Sequence, residues 1–334
     1  MRTRVNVLLI ALIAALFSQC KKEPESVNIK DVNFLDALIS QGVDKNGDGM
    51  ISTGEAAEVT YLEIRDHSIA DLKGIEEFIN LDSLKCDQNH LISLDLSHNR
   101  ELKTVTCWIN RLKSLTISNN TLLRRLECPY NELTSLDVSN NHALKFLECE
   151  WNSIGSLDVS HNPYLNILYC DGNSLTSLDL SNNPRLTSLD CCDNSFTTLD
   201  LSNNPALISF ISVYSTFTSL DVSNNPALRG IECRDGLLTS LDVSHCPALE
   251  SLNCSGNSLT SLDVTNNPAL IYLFCYGNLL TSFDVSRNYA LEYLLLGSMP
   301  SLTKVCVWTI PFPPARLTVD TTGSPNVYFT MDCN

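Results

Sequence analysis

The chain repeats itself every 21 residues, and nothing else about it constrains the fold as strongly. Leu81, Leu102, Leu123, Leu144, Leu165, Leu186, Leu207, Leu228, Leu249, Leu270 and Leu291 form one unbroken column. Cys86, Cys107, Cys128, Cys149, Cys170 and Cys191 form a second, which continues through Ser212 to Cys233, Cys254 and Cys275. Asn89, Asn110, Asn131, Asn152, Asn173, Asn194, Asn257 and Asn278 form a third, with Ser215 and Gly236 as departures. The unit reads L-x-x-L-x-C-x-x-N-x-L-T-S-L-D-V-S-N-N-P-A and recurs ten to eleven times between about Leu81 and Leu302. So short a unit cannot bury its own apolar side, so successive units must stack and stabilise one another. In L-x-C the Leu and Cys point one way and the residue between them points the other. Stacked about 4.8 Å apart, each column becomes a buried ladder, and ten turns make a rod about 50 Å long. The Asn column suits tight corners, where its amide bonds to free backbone groups.

This unit resembles the leucine-rich repeat family, with Cys in the third apolar slot. Its second half, L-T-S-L-D-V-S-N-N, resembles the 21-residue bacterial subclass called IRREKO. The resemblance implies a β-rich solenoid, a right-handed coil with two short parallel strands per turn and a concave face that carries binding. The expected boundaries are 61–303 for the solenoid, its first turn degenerate over 61–80, and 304–334 for a C-terminal cap. Pro311, Pro313 and Pro314 break the period in that cap.

Fourteen cysteines raise the question of disulfides. Nine belong to the ladder, where a small apolar side chain is what the position asks for. A straight column does not converge on a metal, and disulfide torsion is demanding between side chains that all point the same way. Cys192 and Cys246 stand alone. Cys306 and Cys333 bracket the cap and are the one disulfide candidate of an exported chain.

Export is expected from the N-terminus. Arg2 and Arg4 precede an apolar run from Val7 to Phe17, too short to span a bilayer and suited to a signal peptide over 1–19. Leu16-Phe17-Ser18-Gln19-Cys20 resembles a bacterial lipoprotein signal, which implies lipidation of Cys20 and a membrane contact made through the lipid anchor alone. The expected location is the bacterial outer membrane or cell surface. Residues 20–30 read as a polar tether.

Residues 31–60 read as a small helical module around a calcium loop. From Asp44, oxygen donors fall at loop positions 1, 3, 5, 9 and 12: Asp44, Asn46, Asp48, Ser52 and Glu55. Gly49 holds the sharp turn at position 6, and Met50 offers its backbone carbonyl at position 7. This resembles the EF-hand loop and implies calcium as the cofactor. A lone loop beside a repeat array points to a structural ion.

The formal net charge of −16 excludes nucleic acid as the main partner. Nine of the carboxylates form one outward column, from Asp95 to Asp284 with Thr116 as its exception, and are expected to be solvated and hydrogen-bonded. No phosphate loop, nucleophile elbow or HExxH is present, so catalysis has no support and no catalytic residue is assigned. What varies from turn to turn is the face around L-x-C. It carries Trp108, Tyr130, Phe146, Trp151 and Tyr169 in one block and Tyr272, Phe274, Tyr276 and Tyr293 in another. Glu127, Glu148, Glu150, Asp171, Asp190 and Asp193 lie beside the first. Exposed rings bury much area at low entropic cost, so the expectation is a monomer that binds a protein or a glycan through this face, in adhesion or ligand capture. The competing reading is a calcium-stabilised spacer with no ligand of its own.

Overall fold

The structure, a computed structural model, describes residues 25–333. The signal segment 1–19 and Cys20 lie outside the described residues. Two short helices, α1 (Val32–Ser40) and α2 (Thr53–Glu58), precede a parallel β-solenoid. Thirteen strands of three residues each make one continuous parallel sheet, from Tyr61–Glu63 to Thr318–Asp320. Its register follows the repeat: Phe146 pairs with Ile167, Leu147 with Leu168 and Glu148 with Tyr169. In nearly every strand the middle residue is buried and its neighbours face outward, as the alternation in L-x-C requires; Thr106 is buried as well, and Val319 in the last strand is half-buried.

The second strand per turn forms only in places. Ser93–Asp95 pairs with Ser114–Thr116, and Ser219–Asp221 with Ser240–Asp242; Ser282–Asp284, Lys304–Cys306 and Tyr328–Thr330 make a trio. Successive turns therefore stay in hydrogen-bonding reach all along the first row and intermittently along the second.

The interior is columnar. The Leu81-to-Leu291 column and all nine ladder cysteines are buried, and the cysteines are free thiols. Burial pushes their thiols up, to about 12 at Cys254, so they are inert core filler. Where Ser212 takes a cysteine's place, its hydroxyl is buried without a partner.

Two rows of asparagine tie turn to turn. In the row identified from the sequence, Asn152 Nδ2 donates to Cys149 O and to Cys128 O of the preceding turn, both at 3.1 Å. Its Oδ1 accepts from Leu133 N at 3.0 Å. The second row, Asn99 to Asn288, is the latter Asn of S-N-N. Asn204 Nδ2 donates to Leu180 O at 3.1 Å and to Asn183 O at 3.0 Å, while its Oδ1 has no hydrogen-bond partner. Because only the donor half is used in this row, a thiol can stand in. Cys246 occupies the row and donates to Val222 O at 3.7 Å and Asn225 O at 3.8 Å. This accounts for a cysteine that looked isolated in the sequence.

The ends are closed differently. Residues 25–30 do not behave as part of a tether. Ser26 bridges Ser52, Val27 N donates to Ile51 O at 2.8 Å, and Val27 is buried. The apolar Val27 and Ile29 supply the reason, since both pack into the core beside Phe34, Leu38 and Ile51. Asp31 caps α1 and accepts from Ala70 N and Asp71 N, so the helical module is the solenoid's N-terminal lid. At the other end, Trp308 meets Phe312 edge to face and Phe312 lies tilted against Phe329, with Tyr289 against Trp308. The segment after 303 continues both sheets, with Tyr293 paired to Thr318 and Lys304 to Tyr328.

Asn152→Ala leaves the Leu133 N–H without its acceptor, while Cys128 O and Cys149 O keep the amides of Asn131 and Asn173, and it is expected to cost about 1–3 kcal/mol in chemical denaturation. Cys246→Asn replaces a weak thiol donor with the row's amide and is expected to leave stability equal or higher in the same measurement.

Candidate binding face

Each turn leaves the long sheet through one residue with positive φ. In thirteen successive turns this corner is Asp66, Gln88, Ile109, Tyr130, Trp151, Gly172, Asp193, Tyr214, Asp235, Gly256, Gly277, Ser298 and Gly323. Glycine adopts this conformation freely and a bulky side chain does so at a cost of about 1–2 kcal/mol. Tyr130 (φ 54°) and Trp151 (φ 51°) bear that cost, and their rings stack, with centroids 6.2 Å apart and planes 3° from parallel. They are about half exposed, at 53% and 47%. On the far side Trp151 lies flat over Gly172, where an added Cβ would come within 2.8 Å of the indole. The two therefore stand along the rim of the sheet and not on its strands, a correction to the single aromatic block expected from the sequence.

The other rings sort by row. Phe146 and Tyr169 sit on adjacent strands in edge contact at 6.2 Å, and the Arg125 guanidinium covers Phe146 at 3.6 Å. Trp108 lies apart from them, beside Asp87, Thr106 and Arg125. At the far end Tyr272 stacks on Tyr293 at 5.4 Å and meets Phe274 edge-on at 6.4 Å; Tyr276 is exposed two residues further. Between the two ends the first outward row holds only Ser188, Ser209, Gly230 and Ser251. That row is thus low for about 20 Å, four strands wide, while the second outward row of the same strands carries Asp190, Ile211, Glu232 and Asn253.

Carboxylates crowd the first end. Burial, reinforced by Glu148, Asp171 and Asp190, pushes Glu150 up to about 8, and its Oε2 has no hydrogen-bond partner. Burial and the charge of Asp190 push Asp171 up to about 6, and Glu148 and Asp190 are raised as well. Arg125 pairs with Glu127 and is already engaged. Asp87, which the sequence did not single out, is buried and held by Thr106 Oγ1 at 2.8 Å and Trp108 N at 3.1 Å. Arg125 and Gly172 were also missed. Their only signal was their place one turn away from Phe146 and Trp151.

The outward Asp column behaves as expected. Asp137 Oδ1 accepts from Ser139 N at 2.9 Å, and the same bond recurs at Asp158, Asp179, Asp200, Asp221, Asp242, Asp263 and Asp284. At the N-terminal lid the five side-chain donors expected to hold calcium lie along one tight loop. Asp44 accepts from Gly47 N and Gly49 N at 2.7 and 2.9 Å, and Asn46 from Asp48 N at 2.8 Å. Asp48 accepts from Met50 N at 2.9 Å. Glu55 reaches across to Lys45 N at 2.9 Å while also capping α2 with Ser52. These bonds hold Glu55 below its usual carboxylate range, leave lone pairs on every donor, and suit a hard cation. At the C-terminal end the pair expected to bridge, Cys306 and Cys333, is present as free thiols that lie close together.

A carboxyl raised by burial is protonated in the folded chain at a pH where the unfolded chain has already ionised. Its contribution is fully present below pH 4.5 and is lost as pH rises to about 8 for Glu150. Denaturation midpoints should therefore fall across that window. Glu150→Gln should flatten the fall and be the more stable chain above it.

No family model matches the chain, and no curated protein does. Solved structures do. A leucine-rich repeat protein of Leptospira interrogans is 22% identical, with a TM-score of 0.65 over 74% of each chain. An internalin of Listeria monocytogenes is 17% identical, with a TM-score of 0.67 over 90% of this chain and 98% of its own. The leucine-rich repeat protein FLRT2 is 16% identical, with a TM-score of 0.58 over 79% of this chain and 83% of its own. The fold is that of the leucine-rich repeat solenoid. Among the described residues no helix is long and apolar enough to cross a membrane.

Proposed function

We propose that this is an exported, lipid-anchored binding protein that captures a protein partner on the long-sheet face, at the end framed by Trp151 and Phe146. The observation that carries the reading is the stacked Tyr130–Trp151 pair at strained corners. Glycine fills the same slot without strain at Gly172, Gly256 and Gly277, so the two aromatics add nothing the backbone needs. Strain kept where a smaller residue would relieve it points to a use on the outside. The crowded carboxylates name the partner's chemistry. A Lys- or Arg-bearing segment would pair with Glu148 and Asp171 and cover the rings by cation–π contact. FLRT2 was solved in a complex with latrophilin 3 and Unc5D, so this fold elsewhere presents itself to proteins. The leader and Cys20 support attachment at a bacterial surface, and the array then holds its face clear of the membrane.

The test separates binder from spacer. The immobilised chain is screened against peptides of graded Lys and Arg content and against a glycan array. Retention of basic peptides that falls between about 0.05 and 0.5 M salt is expected, and its loss in Trp151→Gly. That substitution suits the positive φ, so the melting temperature should hold or rise. The same profile from wild type and variant would leave only the spacer.

A calcium ion in the Asp44–Glu55 loop belongs to the same proposal. Asp44, Asn46, Asp48, the Met50 carbonyl, Ser52 and Glu55 would hold it. The loop's Ile51 O is bonded to Val27 N, so ordering the loop would tighten the lid over the first turn. Saturating calcium at about 100 times Kd should add about 2.7 kcal/mol to unfolding, and Asp44→Ala should abolish the increment.

A further inference from the structure

We propose that Asp284, Cys306 and Cys333 form a site for a borderline-soft divalent cation such as zinc, which locks the C-terminal end of the solenoid. The three contribute one ligand atom each, and these atoms lie within 4.8 Å of one another. Tetrahedral zinc with sulfur at about 2.3 Å needs ligand atoms about 3.8 Å apart, so small side-chain adjustments suffice.

The placement follows from the strands. Cys306 is not part of the buried cysteine ladder. It lies in register with Asp284 on the neighbouring strand, in the outward row that carries aspartate turn after turn. A thiol there would face solvent, yet Cys306 is buried, because the chain after Tyr328–Thr330 folds back over it. That fold-back is what delivers Cys333, itself exposed. Three consecutive stretches of the last short sheet thus send one ligand each to one point. Asp284 Oδ1 is occupied by Ser286 N at 2.8 Å, which orients the carboxylate and leaves Oδ2 for an ion. The cleft also reaches Asp263 one turn earlier, so the fourth position opens on a carboxylate or water.

The donor set selects the ion. Two sulfurs exclude calcium and magnesium, which take oxygen, and one carboxylate with two thiolates suits zinc. Each thiol releases its proton to solvent on binding, so two negative sulfurs and one carboxylate meet one dication. The bound ion would cross-link strands that are held otherwise only by three-residue ladders.

Cobalt(II) serves as the probe, added to the reduced, metal-free full chain with calcium kept saturating so that the N-terminal loop cannot respond. One equivalent is expected to bind with a thiolate-to-cobalt charge-transfer band, displaced by zinc, and zinc should raise the melting temperature. Cys333→Ser removes an exposed side chain and should keep the fold while losing the band. Asp284→Asn should keep the band at an affinity at least about tenfold weaker. A reduced chain that takes up no cobalt overturns the proposal, as does a band that survives Cys333→Ser. So does a chain whose one response is a Cys306–Cys333 disulfide, with no cobalt uptake after reduction.

Discussion

Every turn of this solenoid leaves backbone carbonyls facing inward at two corners, and two rows of asparagine, one largely half-buried and one buried, answer them. A coil of 21-residue turns has no helices on its flank to absorb those groups, and an unpaired buried carbonyl costs about 1–3 kcal/mol. Each asparagine amide bonds its own turn or the one before, so the polar interior is satisfied only by stacking. Cooperativity along the array is therefore a hydrogen-bond requirement as much as an apolar one. The second row shows how little chemistry is needed: a donor suffices, and Cys246 supplies one.

Because the interior is held by columns, the outside is free to change. The corner with positive φ is fixed in every turn, yet the residue there ranges from glycine to tryptophan. Where it is aromatic, backbone strain and exposed area coincide, and the carboxylates that crowd the same end are pushed up by burial and by one another. Strained corners recur along the whole coil, at Ile109 and Tyr214 among others, but a stacked aromatic pair beside carboxylates raised by burial occurs at this end.

The two ends solve the remaining problem of a stacked core, which is how to stop. At the start, a helical lid buries Phe34, Leu38 and Ile51 on the first turn and fixes itself through Asp31. At the finish, Trp308, Phe312 and Phe329 close the core while the last short sheet folds back over Cys306. Both closures are also where the proposed cation sites lie, hard oxygens at one end and thiols with a carboxylate at the other.

The 21-residue period by itself determined the solenoid, the buried leucine and cysteine columns, the outward aspartates and the first asparagine row. Those features depend on spacing alone, because alternation and stacking turn a period into a face. The loop donors from Asp44 to Glu55 were legible for the same reason, being local to one turn of chain. Only the tertiary structure decided that residues 25–30 are packed, that Tyr130 and Trp151 stand at strained corners, and that Arg125 and Gly172 serve rings a full turn away. It also decided that Cys306 faces out and meets Asp284 and Cys333. Contacts of that kind join residues whose separation in the chain is set by how turns stack and how the ends fold back, and no local pattern of residues records that distance.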